Sequence, residues 1–491
     1  MKMNKFMTAL AAMTIATTAF AGGPMTNTNQ SASFLRSVAR GTTYDADAVY
    51  FNPAGTAFME NGFHIAIVNQ IARQTRTISS TYAPFAMGAA NNGLSTKDFT
   101  GKAFAPFIPS LHVTYKHNDW AVMAGVGVNG GGGSLEFADG LGSFERQFSV
   151  LPVGVSQLGA TMGLSANQYS MDMYLKGSSM TLAFNVGASY KITEWLSAAA
   201  LVRFSPTNNS YTGHMKNIQI NPNCAALGFN GHMMPASTFF GTVRDLYAQQ
   251  AALAQASGNL AAAQQAAAMA TQAGTYAVLT ADHLLEVEQK GFAISPILAL
   301  AFHKGNWDAS VKYEFEMGTE LKIKSAEVSA KDPVINGIFT DGSTVKSETP
   351  ALLSAAVSRQ CGPVKVTAEW HHFFDKNAEN SFSPAVKGNT NEYLFGAEWA
   401  ISDRWLVSAG AQRTQLNLDE NAYSDMNFSL SSWSFGVGFE YKITDYMNFN
   451  FGYMPTLYDT ATAKGVASGV EFKDVYSRTS NAIGIGLNFT F

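Results

Sequence analysis

Residues 433–443 read Trp-Ser-Phe-Gly-Val-Gly-Phe-Glu-Tyr-Lys-Ile, apolar at every odd position and small or charged at every even one. Successive side chains of a strand point to opposite faces, so the stretch predicts a strand with one greasy and one wet side. Trp307 to Met317 repeats the pattern, with Asp308, Ser310, Lys312, Glu314 and Glu316 on one face. A soluble sandwich turns its apolar face inward and rarely sets a row of Trp, Phe, Val and Tyr opposite Ser, Gly, Glu and Lys. A closed transmembrane barrel requires that arrangement, because its outside meets lipid and its lumen is polar.

Similar segments begin near Phe63, Phe104, Trp120, Thr181, Trp195, Leu285, Trp307, Pro350, Val364, Glu392, Trp405, Ser432, Met447 and Ala482. They predict an all-β antiparallel barrel of about 14 strands, an even number as in bacterial single-chain barrels. Short turns, such as Lys191 to Glu194 and Ser402 to Arg404, alternate with long loops. The short ones are expected on the periplasmic side and the long ones outside, which leaves both ends of the barrel domain periplasmic. The last segment, Ile483 to Phe491, alternates throughout and ends on an aromatic ring. It resembles the signal that such barrels present to their assembly machinery.

Of 491 residues, 46% are apolar and only 14% charged, with 43 glycines and 34 phenylalanines, which departs from a soluble globular profile. A net charge of −4 gives no general attraction for nucleic acid. Residues 1–21 read as an export signal: Lys2 and Lys5, an apolar run from Phe6 to Ile15, and Ala19-Phe20-Ala21 as cleavage site. No lipobox cysteine follows, and no later run reaches the roughly 18 apolar residues of a spanning helix. Cys224 and Cys361 are too few for a disulfide framework and read as incidental thiols placed too far apart to bridge.

Gln30 to Met59 fits neither period and stands before the first alternating segment. The expected division is therefore a plug over 22–61, lying in the lumen, and a barrel over 62–491. The largest insertion, 211–283, is expected to be extracellular and partly helical, since Phe239 to Ala273 is rich in Ala and Gln, with Gly258 as an interruption. Gly130, Gly131, Gly132 and Gly133 predict a bulge or ladder break at the end of the third strand, or merely a flexible loop start.

No HExxH, GxSxG or CxxC occurs, so neither a catalytic constellation, a metal site nor a cofactor is expected. His371 and His372 are neighbours on a strand, face opposite ways and read as structural. Parity places Arg203, Lys312, Glu314, Glu316, Lys365, Glu369, Glu398, Glu440 and Lys442 inward, among Met123, Leu201 and Leu394. Mixed signs brace a wall or hold a plug; alternatively, Arg203 or Lys312, beside Met123 and Leu201, meets a ligand carboxylate.

Asn52-Pro53-Ala54-Gly55, preceded by Ala39-Arg40-Gly41 and by Asp45 to Phe51, resembles the N-terminal hatch of the long-chain fatty-acid transporter (FadL-type) family of outer-membrane proteins. The resemblance covers essentially everything after Ala21. It implies a monomeric barrel of fourteen strands in the bacterial outer membrane, closed by that hatch, which takes up hydrophobic or amphipathic molecules passively. Cargo would be captured between outward loops, held in a lumen pocket, and released when the hatch rearranges. A lateral opening at an inward kink in the third strand would lie at Gly130 to Gly133. The other readings are a structural or adhesive barrel that binds a partner through the 211–283 loop, and a general porin, which the plug argues against.

Overall fold

The computed structural model describes residues 31–158, 163–379, 386–425 and 427–491, so the export signal expected over 1–21 lies outside the described residues. Fourteen antiparallel strands close one barrel. They are β1 (Gly62–Tyr82), β2 (Thr96–His117), β3 (Trp120–Phe137), β4 (Tyr169–Thr193), β5 (Leu196–Ile220), β6 (His283–Lys304) and β7 (Trp307–Glu314). β8 (Leu352–Cys361), β9 (Val364–Phe373), β10 (Thr390–Ala400), β11 (Trp405–Gln415), β12 (Ser432–Thr444), β13 (Met447–Tyr458) and β14 (Val470–Thr490) complete it. The first and last strands pair from His64 opposite Thr490 to Tyr82 opposite Phe472, so the sheet has no free edge there.

The alternation becomes two surfaces. In β12, Trp433, Phe435 and Val437 are exposed while Ser432 and Ser434 are buried. Trp120, Trp195, Trp307, Trp399, Trp405 and Tyr446 flank the short turns and are all exposed, forming an aromatic belt of the kind that marks a membrane interface.

Several boundaries differ from expectation: β2, β4 and β14 begin at Thr96, Tyr169 and Val470, well before Phe104, Thr181 and Ala482. β5 runs on to Ile220, with Tyr211 inside the ladder opposite Gly177 and Val287, so the insertion expected from 211 occupies 221–282 instead. β7 stops at Glu314 rather than Met317 and resumes as a short strand, Glu320–Ser325. The stop lies at Pro296 of β6, which has no amide to offer; the Phe315 carbonyl accepts a bond of 2.6 Å from the Ser295 hydroxyl instead. The four-glycine run is not the end of β3, which continues to Phe137.

The lumen is filled from both ends. Residues 31–59 enter at the short-turn end as helix α1 (Ala32–Ser37), helix α2 (Ala48–Phe51) and a 3-10 turn (Pro53–Phe58). The other half holds an apolar core built on helices α3 (Gly142–Ser149) and α4 (Leu151–Leu158), with Phe144, Phe148, Leu151 and Val155 buried against Ile78, Phe99 and Tyr476 of the wall. Above it stand helices α5 (Ala236–Ala256) and α6 (Leu260–Leu279), broken where Gly258 takes φ +76. Their outer ends are exposed and their feet, Phe239, Phe240 and Ala273, are buried.

Phe240→Ala deletes a ring stacked 5.0 Å from that of Tyr276. A loss of about 3–5 kcal/mol in docking of the hairpin is expected. Limited proteolysis should then cut between α5 and α6 faster than in the wild type, while the gel mobility of the unheated barrel stays unchanged.

Candidate functional site: an inner hatch and a seam in the wall

The Asn-Pro-Ala-Gly motif is a folded cap. The Asn52 side chain accepts from the Gly55 amide (3.2 Å) and donates to the Thr43 carbonyl (3.0 Å), while Pro53 starts the 3-10 turn, where a missing N–H costs nothing. Ala54 is fully buried and its carbonyl accepts from Ser197 at 2.7 Å. A side chain at Gly55 would lie 2.1 Å from the Asn52 amide nitrogen.

Polar tethers fix this segment to the wall. Arg36 reaches Glu398 at 2.7 Å and Glu440 at 3.4 Å, and Arg40 reaches Glu398 at 3.2 Å. Glu369 accepts from the Arg40 and Gly41 amides, both at 2.8 Å. Tyr44 donates to Asp308 (2.7 Å) and Lys365 to the Thr42 carbonyl (3.0 Å). Within the hatch, Arg40 also pairs with Asp45 and Asp47. Burial pulls the Arg40 pKa down, but Asp47, Asp45 and Glu398 more than reverse that, and its guanidinium stays charged.

Room for α1 is made by glycines that no motif announced. Side chains at Gly396 and Gly410 would meet the Ser37 carbonyl at 2.4 and 2.0 Å, and one at Gly452 the Ala32 carbonyl at 2.4 Å. Gly436 and Gly484 meet the same helix. All five sit at inward positions of β10–β14, so parity plus small size was the available signal.

The four residues proposed to hold a ligand surround the hatch. Met123 and Leu201 pack against Val49 and Ala54. Arg203 and Lys312 flank the Tyr50 ring, at 5.3 and 5.0 Å from its centroid, both pair with Glu314, and Lys312 donates to the Tyr50 carbonyl at 2.8 Å. Both cations therefore touch the hatch. His371 bonds Glu369 and Glu392 inside the barrel, and His372 bonds Asn391 on the other face. Cys224 and Cys361 are both free.

The glycine run alters one seam. β2 and β3 pair over residues 111–117 with 120–126 and again over 101–103 with 135–137, with no ladder between. Over the same stretch β3 stays paired to β4 through two bulges, and Gly131 and Gly132 take φ +70 and +103. Residues 127–132 are all buried, so the exposed-buried alternation of β3 is lost there. β2 carries Pro106 and Pro109 here, and the Ile108 amide is covered by the Asn69 side chain at 3.0 Å. Ala72, Ala105, Ile108 and Val128 form an apolar cluster at the seam, with Leu182 against it. Asn129, on β3, accepts from the Tyr50 hydroxyl at 3.3 Å, so hatch and seam touch.

No protein-family model matches the chain. No curated protein matches it in sequence. Solved structures do match it in fold. The crystal structure of a Pseudomonas aeruginosa FadL homologue is similar over 97% of this chain and 99% of that one, with TM-score 0.60 and 12% identity. That of the P. putida toluene transporter TodX is similar over 91% of this chain and 95% of its own, with TM-score 0.50 and 14% identity. The fold is the one that the hatch residues led us to expect.

Gly452→Val should drive α1 off the wall, at about 1–3 kcal/mol of overpacking. The wild-type barrel is expected to show little steady current in planar bilayers and the variant frequent open channels; identical traces would mean that the hatch tolerates the added side chain.

Proposed function

We propose that this barrel lies in a bacterial outer membrane and passes hydrophobic or amphipathic small molecules across it without an energy source, long-chain fatty acids among them. The observation that carries the reading is the seam: an apolar cluster where the β2–β3 ladder is interrupted, in contact with the hatch at Asn129 and Tyr50. A hydrophilic pore gains nothing from a greasy break in its wall, whereas an apolar solute can leave there into lipid. Cargo enters among the long loops, passes the apolar core around α3, and exits sideways when the hatch shifts near Tyr50. The barrel works as a monomer, and the short-turn end is periplasmic. TodX is described as a toluene transporter, so small aromatic hydrocarbons belong in the same assay as fatty acids.

The seam can be stapled. A side chain at Gly133 would place its Cβ 3.3 Å from that of Ala105, close to disulfide spacing. In a background with Cys224 and Cys361 changed to Ser, the pair Ala105→Cys and Gly133→Cys should slow uptake of labelled apolar probes after oxidation and recover it on reduction. Full cross-linking with unchanged uptake would dismiss the sideways exit. A deletion strain that takes up fatty acids and toluene normally would dismiss transport altogether.

A further inference from the structure

On the outer face of the barrel the seam lies under a trough. Phe104 and Phe107 of β2 stand exposed on one side of β3, and Met180 and Phe184 of β4 on the other, while β3 shows no exposed side chain over 127–132. Gly130 to Gly133 carry no side chains, so the floor between the two rows is largely backbone. Neighbouring strands lie about 4.8 Å apart, which sets the rows about 10 Å from each other and leaves room for a hydrocarbon chain. The apolar surface then ends at one level. On β1, Phe63, Ile65, Ile67 and Ile71 give way to Arg73; on β2, Phe107 and Phe104 give way to Lys102; on β4, Phe184 and Met180 give way to Lys176. Phe63 to Ile71 is nine residues, and a tilted strand needs roughly 9–11 to cross the hydrocarbon of a membrane, so the cations stand at the level of lipid headgroups. Arg73 is in register with Phe104 and Thr75 with Lys102, which makes the two cations diagonal neighbours about 7–8 Å apart. Lys102 and Lys176 flank Glu136 of β3 from either side. That is one carboxylate among three cations, and the next outward acids, Asp98 and Asp172, stand four residues further up their strands. Arg73 and Lys102 have no ion-pair partner among the described residues.

We infer that this trough is the docking site of one anionic, phosphate-headed membrane lipid from the leaflet at the long-loop end. Its phosphate is held between Arg73 and Lys102, and an acyl chain lies between the two apolar rows, over the glycine floor, so that it covers the seam from outside. Depth and charge together choose this occupant. The trough lies within the hydrocarbon, out of reach of a soluble partner, and its charged edge is cationic, where a lipid phosphate accepts charge-assisted hydrogen bonds. An uncharged lipid fills the trough equally well but leaves the cations unanswered. The inference rests on the proposed sideways exit and gives that exit a cover: cargo leaving by the seam displaces the bound chain.

The test places the barrel in phosphatidylcholine vesicles, with Cys224 and Cys361 changed to Ser and a fluorescent reporter on Phe107→Cys. Quenching by brominated phosphatidic acid is compared with quenching by brominated phosphatidylcholine. Phosphatidic acid should occupy the site roughly tenfold more strongly, the size expected of two cations at a membrane surface. The same reporter on Phe395→Cys, exposed on β10, should show little preference. Arg73→Gln with Lys102→Gln should erase the preference at 107, whereas Arg73→Lys with Lys102→Arg should keep it. Equal quenching by the two lipids with both cations in place, a preference that survives the double Gln variant, or the same preference at 395 would overturn the docking site. Added inorganic phosphate should leave the quenching unchanged; loss of the preference in its presence would assign the cations to a soluble anion and overturn the lipid. Gel mobility of the unheated barrel reports folding, and should the double Gln variant fail there, Lys102→Gln alone serves, with a smaller loss expected. Uptake of toluene by cells keeps the two readings apart: uptake without a lipid preference fells only the docking site, and a lipid preference without uptake fells only transport.

Discussion

A backbone amide surrounded by hydrocarbon has no partner except another strand, and that constraint shapes everything else in this chain. It demands closure, and the pairing of β1 with β14 supplies it. It also makes any unladdered stretch of wall conspicuous. Between β2 and β3 the requirement is eased by other means: prolines remove amides from β2, the Asn69 side chain covers Ile108, and β3 keeps its bonds to β4. The seam is therefore built into the wall, with the Ile108 amide covered and an apolar lining.

The hatch obeys the complementary rule. Inside the barrel, charges are admissible when each has a partner, and those of Arg36, Arg40, Glu369 and Glu398 are joined into one network. Such a network is rigid while complete and costly to interrupt singly.

Much of this was legible in the sequence. Strand number, turn alternation, the Gly258 break and the hatch motif all rest on local patterns with a fixed period or a known backbone requirement. Boundaries failed where tertiary pairing overrode the pattern: β5 runs on through polar residues up to Ile220 because β4 and β6 are there to pair with it, and β7 stops because Pro296 lies on its neighbour. The site was less legible for a different reason. Parity places Arg203 on the inner face but says nothing of who stands opposite, and only the closed fold has Glu314 meet it. The glycines under α1 were visible as residues and meaningless until a helix lay over them.

The hatch comes first in the chain, yet its first helix packs against β10–β14, the strands made last; Ser33, for one, bonds Asn450. The cradle of small residues that receives α1 does not exist until almost the whole chain has been delivered. The N-terminal segment must therefore wait, unpacked, through most of assembly, and long sequence separation makes its docking a late and slow event. A chain whose head is missing or misplaced therefore closes its circle without the internal strut that α1 supplies against β10–β14.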